Sequence, residues 1–333
     1  MQNQQIVLKR RPVGVPVLDD FEMQHPDIAA LGEDEVLVRL CYLGLEPSAR
    51  MRMNAESPYS QPIAIGGVVS STGVGIVVES RSRRLKPGDH VFVHSGWQQY
   101  FIVKDSDARR IDVGLASLPQ WLSLLGLSSF TAYIGMTELA RPQSGETVVV
   151  SAASGATGAV AGQIARIMGA RVVGIAGGAE KCRYVVDSLG FDDCVDYRQP
   201  DFEARLDAAC PDGIDVDYEN VGGKILHTVF PRMNRYGRVI LCGLVAEYNN
   251  QDLTPGPNLW RAVYHALRIE GFLASRYWDR IPEFVDAALR WSQAGELRHR
   301  EHVVAGFDNV PAAFLDLLAG RHLGKVMVEL AES

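Results

Sequence analysis

The chain lacks clustered cysteines: its five, at positions 41, 182, 194, 210 and 242, are scattered and odd in number. That excludes a disulfide framework and implies reduced thiols, as in a cytoplasm. No two of them fall within metal-ligand spacing, and neither Cys-x-x-Cys nor His-Glu-x-x-His occurs, so no zinc site is legible. No apolar run reaches the ~18–20 residues that cross a bilayer. Lys9, Arg10 and Arg11 are followed by no apolar stretch, which excludes a secretory signal. Positive charge is not in excess: the formal net charge of −7 argues against nucleic-acid and anionic-membrane partners. Internal repeats and low-complexity segments are missing too. What remains is an ordinary soluble globular composition, 47% hydrophobic and 22% charged. At 333 residues it exceeds the usual single-core limit, so two lobes are expected.

The first lobe reads as β-rich. Strand candidates Glu35–Tyr42, Gly73–Glu79, His90–His94 and Gln99–Val103 are separated by turn clusters such as Lys86-Pro-Gly-Asp89, a barrel-like signature. From about Leu122 the pattern alternates between helix and strand, as in a doubly wound parallel sheet. The strand candidates there are Thr147–Ser151, Arg171–Ala176, Asp193–Tyr197, Asp215–Glu219, Gly237–Cys242 and Arg268–Phe272. Helical patterns run over Ala156–Met168, Glu180–Leu189, Phe202–Cys210, Lys224–Met233 and Ile281–Ala294. The tail returns to a strand, Lys325–Glu329, expected to rejoin the first lobe. The division is therefore 1–122 with 298–333 as the β-rich catalytic domain, and 123–297 as the cofactor domain.

The most informative segment is Glu146 to Gly162. The run Val148–Val150 ends in small residues and passes directly into a helical pattern. Ala153, Gly155 and Gly158 keep the spacing of the dinucleotide fingerprint, with Ala for the first Gly. Small residues there let the backbone turn, approach a pyrophosphate and pack helix on strand. Amides at the helix start, at Ala156 and Thr157, then meet the phosphates. The next strand should end in an acid if the cofactor were NAD, because a carboxylate grips the ribose diol. It ends instead in Gly177-Gly178-Ala179-Glu180-Lys181. A 2′-phosphate would be repelled by an acid and held by Lys181, with Arg198 as a second charge. The alternative is that the two are solvated element-end charges, as most surface charges are, but their position favours NADP over NAD.

A β-rich lobe, a dinucleotide domain and a short return is the layout of the medium-chain dehydrogenase/reductases. Zinc-dependent members carry a Cys where this chain has Glu46-Pro47-Ser48, and Gly-His-Glu where it has Gly66-Gly67-Val68. One Glu cannot build a three-ligand zinc site. The chain more closely resembles the zinc-independent leukotriene hydroxydehydrogenase/prostaglandin reductase group. The resemblance runs through Val36–Pro47, Gly96–Tyr100, Gly126–Tyr133, Gly145–Ala153, Gly174–Gly178, Tyr218–Gly223, Leu241–Asn249 and Ala319–Lys325.

That resemblance implies an α/β fold, a GroES-like domain plus a Rossmann domain. It also implies NADPH-dependent reduction of the C=C bond of a small hydrophobic enone or enal, by a cytoplasmic homodimer joined near Arg268–Phe272. It assigns Lys181 and Tyr197 to the 2′-phosphate end. Asn220, Cys242, Gly243, Phe272, Leu273 and Thr131 fall beside the cofactor, and Tyr248 near the nicotinamide ribose and the substrate carbonyl. His322 stands where relatives commonly have Asn. Ser48 and Ala49 replace bulkier residues, which would widen the pocket, and Asn250–Trp260 is expected to cover it. Hydride addition charges the carbonyl oxygen, and Tyr248 can donate to it; a tyrosine that only packs is the alternative. Glu46 is read as a loop-ordering carboxylate, His90 and His94 as core or interface packing, and Cys242 as a small buried residue. Two other functions stay open: quinone reduction, and a non-catalytic, crystallin-like cofactor-binding protein.

Overall fold

A computed structural model describes residues 1–56, 61–250 and 255–330. The strands in chain order are β1 (Gln5–Leu8), β2 (Phe21–Gln24), β3 (Glu35–Gly44), β4 (Thr72–Ser80), β5 (His90–His94), β6 (Tyr100–Lys104) and β7 (Arg109–Arg110). They continue with β8 (Thr147–Ser151), β9 (Arg171–Ala176), β10 (Asp193–Asp196), β11 (Ile214–Glu219), β12 (Met233–Leu241), β13 (Arg268–Gly271), β14 (Glu301–Ala305) and β15 (Lys325–Glu329). The chain forms two compact units: Met1–Leu122 with the segment from Glu301 onward, and Ser123–Arg300.

The first unit is built on a sheet ordered β14-β15-β3-β4-β5-β7, with β6 also paired to β3. Gly75 marks where β4 presses on β3. A Cβ there would stand 2.2 Å from the Arg39 carbonyl oxygen, next to the register shift between Leu40 and Tyr42. Only glycine permits that approach. The core packs Trp97 against Phe21 and Phe314, with ring centroids 5.2 Å away in each case. Phe314 lies on the helix Val310–Leu318, so the returning segment supplies part of this core. The unit is GroES-like.

In the second unit all six strands run parallel in the order β10-β9-β8-β11-β12-β13. That is the doubly wound Rossmann order, which reverses direction between β8 and β11. Every residue of β8 is buried, as a central parallel strand covered on both faces requires. Its core gathers Val149, Val173, Ile175 and Val239 with Phe202, Ile225 and Phe230 from the covering segments. Among the described residues no helix is long and apolar enough to cross a membrane.

The strand expectations hold to within a few residues, and several helical ones need correcting. The Lys224–Met233 pattern is a helix only over Gly223–Val229. A 3-10 turn, Phe230–Arg232, follows at Pro231, and β12 starts at Met233 rather than Gly237. Proline lacks the amide that would extend the helix. Glu180–Leu189 divides into Ala179–Arg183 and a π-helical Tyr184–Ser188. The second crossing between units falls between Arg300 and Glu301, against an expected 298.

Candidate cofactor site

The end of β8 turns sharply. Ala152 takes a left-handed φ of +50°, and the Gly155 amide donates back to its carbonyl at 2.9 Å. The left-handed corner thus falls on Ala152, one residue before the position the fingerprint spacing singled out. Gly155 caps the helix Ala156–Ile167 in extended conformation, with no side-chain cap, so the first-turn amides are offered to an anion. A Cβ on Gly158 would stand 2.4 Å from the Ala152 carbonyl oxygen, so glycine sets how closely the helix start packs on the turn. Ala153 is fully buried, and a Cβ on Gly174 of β9 would meet its methyl at 2.9 Å. Thr157 lies in the helix's first turn.

At the tip of β9, Gly177 is covered by Tyr197 and Arg198. A Cβ there would stand 2.9 Å from both Arg198 Nε and Tyr197 Cε1. Gly178 follows with φ +103°, and its amide donates to Asp196 Oδ1 at 2.8 Å. Asp196 also accepts from the Arg198 amide (3.0 Å) and from Gln199 Nε2 (3.1 Å). Asp196 is therefore bound largely to backbone, and Lys181 and Arg198 bring two positive charges to the tip beside Glu180. Burial, then the Arg198 charge, lowers the Lys181 pKa from its ordinary value. Two cations held in each other's field, beside a glycine tip closely overlaid by Tyr197 and Arg198, suit a phosphate bearing two charges.

A third set of residues gathers at the ends of β11 and β12. Asn220 donates from its amide to Ser151 Oγ and from Nδ2 to the Ser151 carbonyl, each at 2.7 Å. The Glu219 carbonyl accepts from the amides of Cys242 (2.9 Å) and Gly243 (3.1 Å). The Val245 amide donates to the Asn220 carbonyl at 3.1 Å, starting the turn that leads to Tyr248. A Cβ on Gly243 would stand 3.1 Å from the Tyr248 hydroxyl oxygen. Beneath, the buried Tyr218 hydroxyl donates to the Thr131 carbonyl at 3.3 Å and hydrogen-bonds Cys242. Gly135 makes room for the Tyr218 and Phe272 rings, at 2.5 and 3.0 Å from where its Cβ would lie. Leu273 follows Phe272 at the turn into the helical segment Ala274–Arg280. Burial pushes the Cys242 thiol up to about 11, so it stays protonated.

The expected cofactor residues other than His322 thus fall within the second unit. His322 lies in the first, its ring centroid 4.1 Å from that of His302. Glu46 is in the first unit too, accepting from Lys325 Nζ and Thr72 Oγ1, each at 2.7 Å. The ammonium and hydroxyl fasten the start of the Leu45–Arg50 segment, the loop-ordering role read from the sequence. Of the two histidines read as core or interface packing, His90 is half-buried and His94 is exposed, outside the core, its ring edge-on against Phe92 at 5.7 Å. Part of Asn250–Trp260 lies outside the described residues. Among the described residues no group of three or more His, Cys, Asp or Glu could hold a metal ion. Sequence reasoning missed Asp196, Tyr218 and Glu219. Each lies next to a motif residue, but its distant partners, Gly178 for Asp196, Thr131 for Tyr218 and Ser151 for Glu219, are set by folding.

Residues 4–111 match a family model described as the N-terminal domain of oxidoreductase, and residues 156–290 one described as zinc-binding dehydrogenase. The NADPH-dependent curcumin reductase of Escherichia coli (strain K12) is 42% identical, over 99% of this chain and 97% of that protein. The chain belongs to the zinc-independent reductases of the medium-chain dehydrogenase/reductase family. Its 35% identity to a 2-alkenal reductase (NADP(+)-dependent) of Nicotiana tabacum extends over 98% of this chain and 97% of the relative. Among solved structures, CurA from Vibrio vulnificus in complex with NADPH is 36% identical, with a TM-score of 0.95 over 99% of this chain and 100% of that one.

Proposed function

We propose that this reductase uses NADPH to reduce the carbon–carbon double bond of α,β-unsaturated ketones and aldehydes, without a metal. The observation that carries the reading is the β9 tip, where Gly177 lies against Tyr197 and Arg198 and Lys181 follows three residues after Gly178. In this reading Lys181, Tyr197 and Arg198 receive the 2′-phosphate, while Ala153 and Gly155 to Gly158 receive the pyrophosphate. Asn220, Cys242, Gly243, Phe272, Leu273 and Thr131 orient the nicotinamide, which supplies a hydride when bound. His322 is assigned a cofactor contact on the family resemblance alone. Tyr248 donates a hydrogen bond to the substrate oxygen that gains charge as hydride adds to the β-carbon. Water protonates the α-carbon, so no further acid is invoked. The substrate is small and hydrophobic, and nucleic acid and membrane are not partners.

We further propose a cytoplasmic homodimer, supported by five free thiols and by the open side of β13. Beside that strand, Trp260, Val263 and Tyr264 are 63%, 65% and 75% exposed. Exposed apolar clusters of this kind mark contact surfaces.

NADPH and NADH oxidation, followed at 340 nm against enals, enones and quinones, tests the function. Turnover of enones with a preference for NADPH is expected. Turnover of quinones alone, tighter binding of NADH, or a tightly held metal in the purified protein would overturn it. Tyr248→Phe is expected to bind NADPH normally and to lose ~10²–10³ of enone turnover.

A further inference from the structure

The cofactor reading leaves one buried acid without a role. Glu219, the last residue of β11, is fully buried. Its Oε1 accepts from Ser151 Oγ at 2.6 Å, from the Val221 amide at 2.5 Å and from the Gly222 amide at 3.0 Å. Its main-chain carbonyl accepts from the Cys242 and Gly243 amides. One residue thereby ties together the end of β8, the loop after β11 and the loop after β12. Its bonds bracket Asn220 on both sides in the chain, and Ser151, bonded to Glu219, is also the residue that holds Asn220. The loop after β11 in turn carries the turn before Tyr248, through Val245 to the Asn220 carbonyl and Ala246 to the Val221 carbonyl, at 3.1 and 2.9 Å.

We infer that the Glu219 carboxyl is a positioning residue for hydride transfer, setting the places of Asn220 and Tyr248 by collecting three donors on one oxygen. The inference rests on the proposed cofactor and on the proposed role of Tyr248. Oε1 is the working atom; Oε2 has no hydrogen-bond partner among the described residues. The requirement is thus for an acceptor of carboxyl shape, and a second oxygen is dispensable. Three donors converging on a buried acceptor leave little freedom to the backbone they carry, since each would be orphaned if it moved. A loop so held is preorganised for a charge that develops only in the transition state.

The two oxygens make the test. Glu219→Gln keeps a carbonyl at Oε1 and places the amide where nothing is bonded; Glu219→Met keeps the length and removes the acceptor. NADPH affinity, by fluorescence titration of the cofactor-free protein, and enone kcat are measured for both. Glu219→Gln is expected within about threefold of the parent in each. Glu219→Met is expected to bind NADPH about tenfold more weakly and to lose more than tenfold in kcat. Where Glu219→Met does not fold, Ser151→Ala, which removes one donor and the acceptor of the Asn220 main-chain amide, is expected to move both readouts the same way by about threefold. In a Tyr248→Phe background the kcat loss from Glu219→Met should shrink by at least threefold, because the part of it that runs through Tyr248 is already gone. A Gln variant as damaged as the Met variant would overturn the inference. So would an undiminished loss in the Tyr248→Phe background, or a Met variant indistinguishable from the parent. Failure of the cofactor reading is recognised separately, by a parent protein that binds NADH more tightly than NADPH.

Discussion

Asp217, two residues before Glu219 on β11, supports a quantitative prediction. It has no exposed surface, and neither carboxyl oxygen has a hydrogen-bond partner among the described residues. Its neighbours in register are Val149 and Val239. Burial, and then the nearby Glu219, raise its pKa well above the ordinary carboxylate value. The native state therefore holds the neutral acid at pH values where the unfolded chain has released the proton. Below about pH 3.9, the unfolded value, both states are protonated and the difference vanishes. Above it the native state binds more protons than the unfolded one, so stability falls as pH rises, by up to ~1.4 kcal/mol per pH unit until the native pKa is passed. Asp217→Asn keeps the shape and removes the titration. Equilibrium urea unfolding at pH 4, 5 and 6 should show the variant gaining on the parent at each step. The gain from pH 4 to pH 5 should be about 1 kcal/mol. A difference that does not change with pH would refute the reasoning, because it would mean that Asp217 ionises in the folded protein as readily as in the unfolded chain.

Lys181→Ala should weaken NADPH about 10- to 100-fold while leaving NADH affinity nearly unchanged, since a charge-assisted bond contributes ~1.5–3 kcal/mol; paired titrations decide it. Gly158→Ala places a methyl against the Ala152 carbonyl, and should cost ~1–3 kcal/mol of stability and at least tenfold in NADPH affinity, read by denaturation and cofactor titration. Ala152→Gly relieves the left-handed strain and should raise stability by ~1 kcal/mol at unchanged NADPH affinity; a destabilised variant would show that the corner carries no strain.

Legibility in the sequence followed locality. The central strands β8 and β9 are visible because β-branched runs buried on both faces need no partner to announce themselves. The glycine-rich tip after β9 was legible for the same reason: two adjacent glycines and a following lysine are a local fact. β1, β2 and β14 passed unread, being four or five residues long and stabilised by pairing across the chain. Asp196 and Glu219 looked like ordinary polar residues. Their importance comes from joining near donors, Val221 and Gly222 for Glu219 and Arg198 for Asp196, to ones the fold brings in: the Gly178 amide for Asp196 and, 68 residues away, the Ser151 hydroxyl for Glu219. The left-handed corner went to Ala152 because the spacing of small residues fixes where the chain must turn only to within a residue.

The aromatic triangle of Phe21, Trp97 and Phe314 has a consequence for how the polypeptide is made on the ribosome. Two of its rings emerge before the Rossmann unit and the third after it, and β15, which lies between β14 and β3, is later still. The Rossmann unit can close as soon as its own strands are out, whereas the GroES-like unit must wait with the Tyr42–Gly44 end of β3 lacking its β15 partner. Truncation of the last helix and strand is thus a lesion of the beginning of the chain.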